Sequence, residues 1–348
     1  MKPRTKARSS AREKARTRLV AQGLVGQGWD TPAEALSAFG LMQGQDPSVF
    51  SSMALRSTGQ IQDVHEALDR GEIVRGYPMR GTVFAARAHE LRWLTELLAN
   101  PGVERARKTV IEHGATNAQI DKILDLILTE GPVTNQEYQA IVTRVIPDPD
   151  ARHFYRTRYL LMVDGSLAYL GREQKMGAAP SSQSLEQAFN GERQAAADEI
   201  VARYVRTHGP VTFDDVRWWS KLPVREIRTA LEHLPADIIE VEGEYMRASL
   251  IDEVANATPA QLRAPHLLPA FDEYILGYQD RLFAMSEDTH TQLVPRNMGI
   301  FKKAVVVDGV VRGAWRGNAG KLEIDDYAGI PNYAQAGIRR KHRSHPFF

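Results

Sequence analysis

The chain has 348 residues, 43% hydrophobic and 25% charged, with a formal net charge of +1 and no cysteine. This is the composition of a globular protein with room for two or three domains, and the missing cysteine excludes disulfides, thiolate metal sites and thiol nucleophiles. With so small a net charge, any nucleic-acid binding must come from local basic patches; no apolar run of about 18 residues reads as a membrane span, and the basic start lacks the apolar stretch of a signal peptide.

Residues 1–18 are rich in Lys and Arg and read as a solvated arm, the reading preferred over 1–8, or alternatively as a phosphate-touching extension. A helix is expected from Ser10 to near Gly23. Thr31-Pro32-Ala33-Glu34 is a capping box, and Gly40 closes its helix. Gln43-Gly44-Gln45-Asp46-Pro47 follows, with Asp46 and Pro47 predicted to open a helix over 47–56. Another helix over 61–70 precedes two strands over 72–86, turning near Pro78. Helices followed by a hairpin make a winged-helix order.

That order recurs. Gly131-Pro132-Val133-Thr134 resembles Gly209-Pro210-Val211-Thr212, each after an amphipathic helix (118–130, 192–208) and each with an acid three residues past the threonine, at Glu137 and Asp215. Asp150 caps a further helix to Leu161 and 167–170 is a strand. Pro223 opens a helix to about Leu234, before a wing over 238–247. The stretch 173–190 reads as a linker. Beyond His266 strands dominate, and Ala304 to Trp315 around Asp308-Gly309 is a hairpin with type I′ chemistry. The tail over 331–348 is basic and shows no packing pattern. The predicted fold is α+β and mainly helical: three tandem winged-helix units over 10–98, 101–175 and 190–252, then a small β-rich domain over 264–330.

A metal site is not expected. The ten histidines include no His-Glu-x-x-His, and His342 and His345 fall in the polar tail. Asp214-Asp215, Asp325-Asp326 and Gly23-x-x-Gly26-x-Gly28 read as structural. Nucleic-acid contacts are expected from Arg152, Arg156 and Arg158, and from Arg225 and Arg228 on third helices. The late hairpin offers Lys302, Lys303, Arg312 and Arg316 around Trp315, suited to a backbone and a base face; a hairpin with one packed Trp is the equal alternative.

The glutamines are the other candidate site. In extended backbone, Gln43 and Gln45 project to the same side, next to a helix N-terminus. A glutamine is no general base, but its amide both accepts and donates, so two can orient one water. Such help suffices where the leaving group is already activated, as in a cationic alkylated purine.

Gln43-Gly44-Gln45-Asp46-Pro47, Met79-Arg80-Gly81-Thr82, Leu268-Pro269-Ala270-Phe271-Asp272-Glu273-Tyr274, Gly277-Tyr278-Gln279-Asp280-Arg281 and Gly299-Ile300-Phe301 with Trp315 resemble a winged-helix DNA-binding family. It is the family of the bacterial DNA glycosylases AlkZ and YcaQ, and the likeness spans Ser10 to Gly317. The resemblance implies a C-shaped stack of three winged helices with a β-rich C-terminal domain, wrapping double-stranded DNA. It implies a cofactor-free enzyme, a monomer in the cytoplasm associated with the nucleoid, that excises alkylated purines and unhooks interstrand crosslinks. Gln43 and Gln45 match the Gln-hydrophobe-Gln motif of the AlkZ branch; Arg80 and Arg281 fall in the matching DNA-contact stretches. Two positions depart: Gly44 replaces a hydrophobe, which is expected to loosen the turn, and Phe84 stands where relatives carry histidine. The rival reading is a tandem winged-helix regulator that binds DNA without chemistry.

Overall fold

The computed structural model describes residues 10–98, 100–297 and 299–348; the arm over 1–8 lies outside them. The fold is α+β and mainly helical, with eleven strands among the described residues: β1 Met42–Gln43, β2 Ile73–Met79, β3 Thr82–Arg87, β4 Ala168–Leu170, β5 Lys175–Gly177, β6 Ile238–Val241, β7 Glu244–Arg247, β8 Pro265–Leu268, β9 Ala304–Val307, β10 Val310–Asn318 and β11 Lys321–Asp326. They form a five-stranded sheet ordered β1-β3-β2-β4-β5, the isolated hairpin β6-β7, and a four-stranded sheet ordered β11-β10-β9-β8.

One succession of elements occurs three times. Helix Asn117–Glu130 ends at Gly131, Val133 bridges to Met176 of β5, Thr134 caps helix Asn135–Val145, and helix Ala151–Val163 leads into β4 and β5. Likewise helix Arg193–His208 ends at Gly209, Val211 bridges to Tyr245 of β7, Thr212 caps helix Phe213–Ser220, and helix Val224–Glu232 leads into β6 and β7. Both threonines complete capping boxes, with Glu137 and Asp215, as their spacing predicts. In the first copy the bridging position is β1, which lies between helices Pro32–Phe39 and Val49–Leu55 and pairs with β3. The glutamines therefore occupy the short strand that ties the helices to their wing.

Several expectations need correction. The first wing turns at Arg80-Gly81, both at positive φ (57° and 67°), because Pro78 stays in β2 at a break in register between Gly76 and Met79. The first two hairpins share one sheet through Arg75 and Tyr169. The supposed linker supplies β5 and helix Leu185–Phe189. The tail forms helix Gln335–Arg343, with Ile338 buried on the C-terminal sheet beside Trp315, while Phe348 reaches Phe50 at 4.5 Å between ring centres. The type I′ turn is as expected, with Asp308 and Gly309 at φ 59° and 75°.

Helix Ala11–Ala21 begins at a Ser10 capping box, and its basic residues pair with distant parts of the chain. Arg12 and Arg16 both engage Asp308, Lys14 engages Glu244, and Arg18 Nη2 donates to Pro210 O at 2.8 Å. These contacts tie the helix to the C-terminal hairpin and to Pro210; Arg18 is buried, Lys14 and Arg16 are half-buried and Arg12 stays exposed. One continuous core, including Leu19, Phe84, Trp219, Tyr274 and Ala304, joins the first unit, the third and the C-terminal sheet; Ile123, Tyr138 and Leu161 belong to a separate core in the second.

Candidate active site and nucleic-acid interface

Met42 and Gln43 pair with Ala85 and Phe84 of β3. The next residue is locked in place: Gly44 N–H donates to Val83 O at 2.9 Å, and Arg75 Nη1 donates to Gly44 O at 2.8 Å. A Cβ at Gly44 would stand 2.9 Å from Ala85 N and 3.0 Å from Phe84 C, both backbone atoms. Gly44 thus permits close approach of β1 to β3 and does not loosen the turn, contrary to the sequence expectation. Asp46 then turns the chain, its Oδ1 accepting from Ser48 N–H at 2.8 Å, and the helix starts at Val49, two residues later than predicted.

The two glutamines flank Val83 and Phe84. Gln43 is buried, at 8% exposure, and its side-chain amide has no hydrogen-bond partner among the described residues. Gln45 is exposed, and its Oε1 accepts from Val83 N–H at 3.3 Å. Behind them, the Gln43 backbone N–H donates to Glu273 Oε1 at 2.6 Å.

Glu273 lies between two other anchoring residues. Asp272 receives Arg56 at 2.7 and 2.9 Å and the Ser52 hydroxyl at 2.5 Å. Burial would raise its pKa, but the Arg56 charge and hydrogen bonds outweigh it and hold the carboxyl below the ordinary range. The Tyr274 hydroxyl donates toward Ala15 O and Gly309 O, at 3.1 and 2.7 Å. The stretch Asp272-Glu273-Tyr274 therefore joins the first unit, the glutamine strand and the C-terminal hairpin.

Beside this strand, Arg80, Arg281 and Lys221 surround the half-buried Trp218, at 5.1, 5.0 and 5.5 Å from its rings. Burial lowers the pKa of all three; Arg80 adds repulsion on Arg281, and Arg80 with Arg217 on Lys221. None of these cations has a carboxylate partner among the described residues. Mutually repelling, partly desolvated cations around an indole suit an anion such as a phosphate. A recess of about 560 Å³ opens here, lined by Trp218, Lys221 and Gln279 among others.

Sequence reading found Arg80 and Arg281 but missed Trp218, Lys221 and Glu273. Adjacent Trp218 and Trp219 was the available signal: on one helix, only one of two neighbours can face the core. Arg225 and Arg228 are exposed on their helix, and neither forms an ion pair among the described residues. The late hairpin is different. Trp315 is 1% exposed, donates from Nε1 to Leu268 O at 2.9 Å and packs against His345 and Phe347. It cannot offer a face to a base. Lys303 lies 4.8 Å over its ring, Lys302 donates to the Tyr327 hydroxyl at 3.0 Å, Arg312 to Ala328 O at 3.2 Å, and Arg316 pairs with Asp325 at 2.7 Å. On the second unit, Arg152 pairs with Asp150 and Arg158 donates to Asn135. The exposed aromatic there is Tyr155, stacked on Tyr159.

The structure also gathers His113, Asp150 and His153, whose ligand-type atoms lie within 4.8 Å of one another. Asp150 is already committed: Oδ1 caps the helix through Arg152 and His153 N–H and meets His113 Nε2 at 3.1 Å, while Arg152 holds Oδ2. The His113 hydrogen bond, ahead of the other partners, holds its carboxyl well below the ordinary range. The adjacent guanidinium opposes a cation at this point, so the cluster reads as a helix clamp. A cavity of about 870 Å³ near Trp29 contains neither glutamine, and its arginines are neutralised: Arg203 by Glu90, Arg206 by Asp237 and Arg247 by Glu253. No described helix is long and apolar enough to cross a membrane.

Residues 36–341 match the family model described as DNA glycosylase AlkZ-like. The chain is 25% identical over 310 residues to a Streptomyces sahachiroi protein named interstrand DNA cross-link repair glycosylase, covering 82% of each. Its fold is similar to that of the solved Streptomyces sahachiroi DNA glycosylase AlkZ, with a TM-score of 0.72 and 20% identity over 98% of this chain and 97% of that one.

Proposed function

The chain belongs to the AlkZ-like DNA glycosylase family, and from that premise we propose that it hydrolyses the N-glycosidic bond of N7-alkylated purines in duplex DNA and unhooks interstrand crosslinks. The observation that carries this reading is the glutamine strand. β1 and the residues after it hold Gln43, whose side-chain amide has no hydrogen-bond partner among the described residues, and the exposed Gln45 against Val83 and Phe84 of β3, beside cations without counter-ions. Gln43 and Gln45 orient a water toward C1′. The C1′–N9 bond breaks with its electron pair leaving on the purine, which loses its positive charge as it departs. The water oxygen bonds to C1′, its proton passes to solvent, and an abasic site remains. Arg80, Lys221 and Arg281 hold the phosphates on either side. Arg225 and Arg228 contact the backbone from the third helix of the third of the tandem winged-helix modules, over 190–252. The crosslink activity rests on the name of the Streptomyces relative and on the exposed Gln45, which a bulky lesion can reach.

Base release from duplex carrying N7-methylguanine tests this, scored as alkali-cleavable abasic sites for wild type, Gln43→Ala and Gln45→Ala. Release is expected from wild type and a loss of about 100-fold or more in each variant with DNA affinity kept. Wild-type release unchanged in both variants would overturn the assignment of the glutamines. Sequence-selective binding with no release from methylated or crosslinked duplex would instead favour a DNA-binding regulator.

A further inference from the structure

Glu273 is 2% exposed, and only one of its carboxylate oxygens is used. Oε1 accepts from Gln43 N–H at 2.6 Å. Oε2 is buried with no hydrogen bond, 3.5 Å from His208 Nε2, which is equally buried and unpartnered. The Thr207 hydroxyl lies 2.7 Å from Arg203 O and 2.9 Å from His208 Nδ1. Burial keeps the His208 imidazole below its ordinary pKa, against the opposing pull of Glu273.

An amide at this position would keep the Oε1 contact with the Gln43 backbone and remove the charge; the carboxylate adds a buried negative charge to that contact. Arg80 feels that charge, and the Gln43 backbone that Glu273 holds is two residues before the solvent-facing Gln45.

We propose that Glu273 is an electrostatic positioning residue for glycosidic bond cleavage, fixing Gln43 through its backbone amide and placing a buried negative charge behind the site where the sugar becomes cationic. This rests on the glycosylase reading. As the C1′–N9 bond breaks, positive charge develops on the sugar while the purine is neutralised. A fixed negative charge in a water-poor setting then stabilises the transition state more than the ground state.

The test is Glu273→Gln, with Glu273→Asp as the variant that keeps the charge. Glu273→Gln keeps the shape and the Gln43 contact, and is expected to fold and to bind undamaged duplex equally well. Its single-turnover release of N7-methylguanine at saturating enzyme should fall by about 10–100-fold, the scale of a unit charge several ångströms away at intermediate dielectric. A second readout needs no turnover: affinity for duplex holding a pyrrolidine nucleotide, which carries a cationic sugar analogue, against a neutral tetrahydrofuran nucleotide. Wild type and Glu273→Asp should prefer the cationic analogue by about 10-fold or more, and Glu273→Gln should lose that preference. Wild-type release or an undiminished preference in Glu273→Gln would overturn the proposal. Loss of the preference in Glu273→Asp as well, with a normal melting temperature, would do the same. Absence of base release by wild type would count against the glycosylase reading alone, since the analogue comparison still reads the charge.

Discussion

Arg56 and Asp272 are 216 residues apart in the chain, yet they form a bidentate pair with both side chains fully buried. Arg56 Nη2 also donates to Gln22 Oε1 at 2.7 Å, and Gln22 Nε2 donates to the Tyr278 hydroxyl at 3.1 Å. The network fastens the helix behind the glutamine strand to the C-terminal region, so the site keeps its geometry only while the pair is intact. Asp272→Ala leaves a buried guanidinium uncompensated and should cost about 3–5 kcal/mol in urea unfolding. An effect under about 1 kcal/mol would mean the network relaxes around the loss.

Gly44→Ala is the smallest change that should move the glutamines. The added methyl meets Ala85 N and Phe84 C, at 2.9 and 3.0 Å, and neither backbone atom can swing aside. Destabilisation of about 1–3 kcal/mol is expected, with a further loss of base release when the variant is assayed well below its melting temperature. Wild-type release at wild-type stability would show that β1 does not need this approach to β3.

The cations around Trp218 and the tryptophan in the late hairpin should respond in opposite ways. Lys221→Ala or Arg281→Ala should weaken duplex binding and reduce the slope of log affinity against log salt by about 1 each, with little change in stability. Trp315→Ala should leave that slope alone and destabilise the fold by about 3–5 kcal/mol, as expected for a buried indole. Fluorescence anisotropy across a salt series, with thermal melts, separates the two behaviours.

Acid should weaken the C-terminal region well above the carboxylate range. Burial pushes His266 down to about 3 and His345 down to about 4, against about 6.5 in the unfolded chain. Below pH 6.5 the unfolded state therefore binds protons that the folded state refuses, and stability falls as pH drops until the folded values are reached. Between pH 6.5 and 5 this amounts to about 2 kcal/mol for His266. Urea unfolding of His266→Gln over that range should have a flatter pH dependence than wild type; an equal slope would place the effect elsewhere.

Local signals in the sequence were read correctly where they act over a few residues. The threonine caps at 134 and 212, the Asp308-Gly309 turn and the repeated helix-turn-helix order depend on neighbours in the chain, and the structure has them. The Gln-Gly-Gln stretch was visible for the same reason, as was its place before a helix. For Trp315 the packed alternative holds, and the tail was misread, because a basic, aromatic segment looks alike whether it faces solvent or a sheet.

By itself, then, the sequence determined the elements, their caps and turns, and the family likeness, because each is written in contiguous residues. Only the tertiary structure decided which groups share a site. Gly44 against β3, Glu273 behind Gln43, and three cations on Trp218 bring together residues from distant parts of the chain. Whether a charge is neutralised or an amide left free depends on what folding places within about 3–4 Å of it. No local pattern encodes that distance.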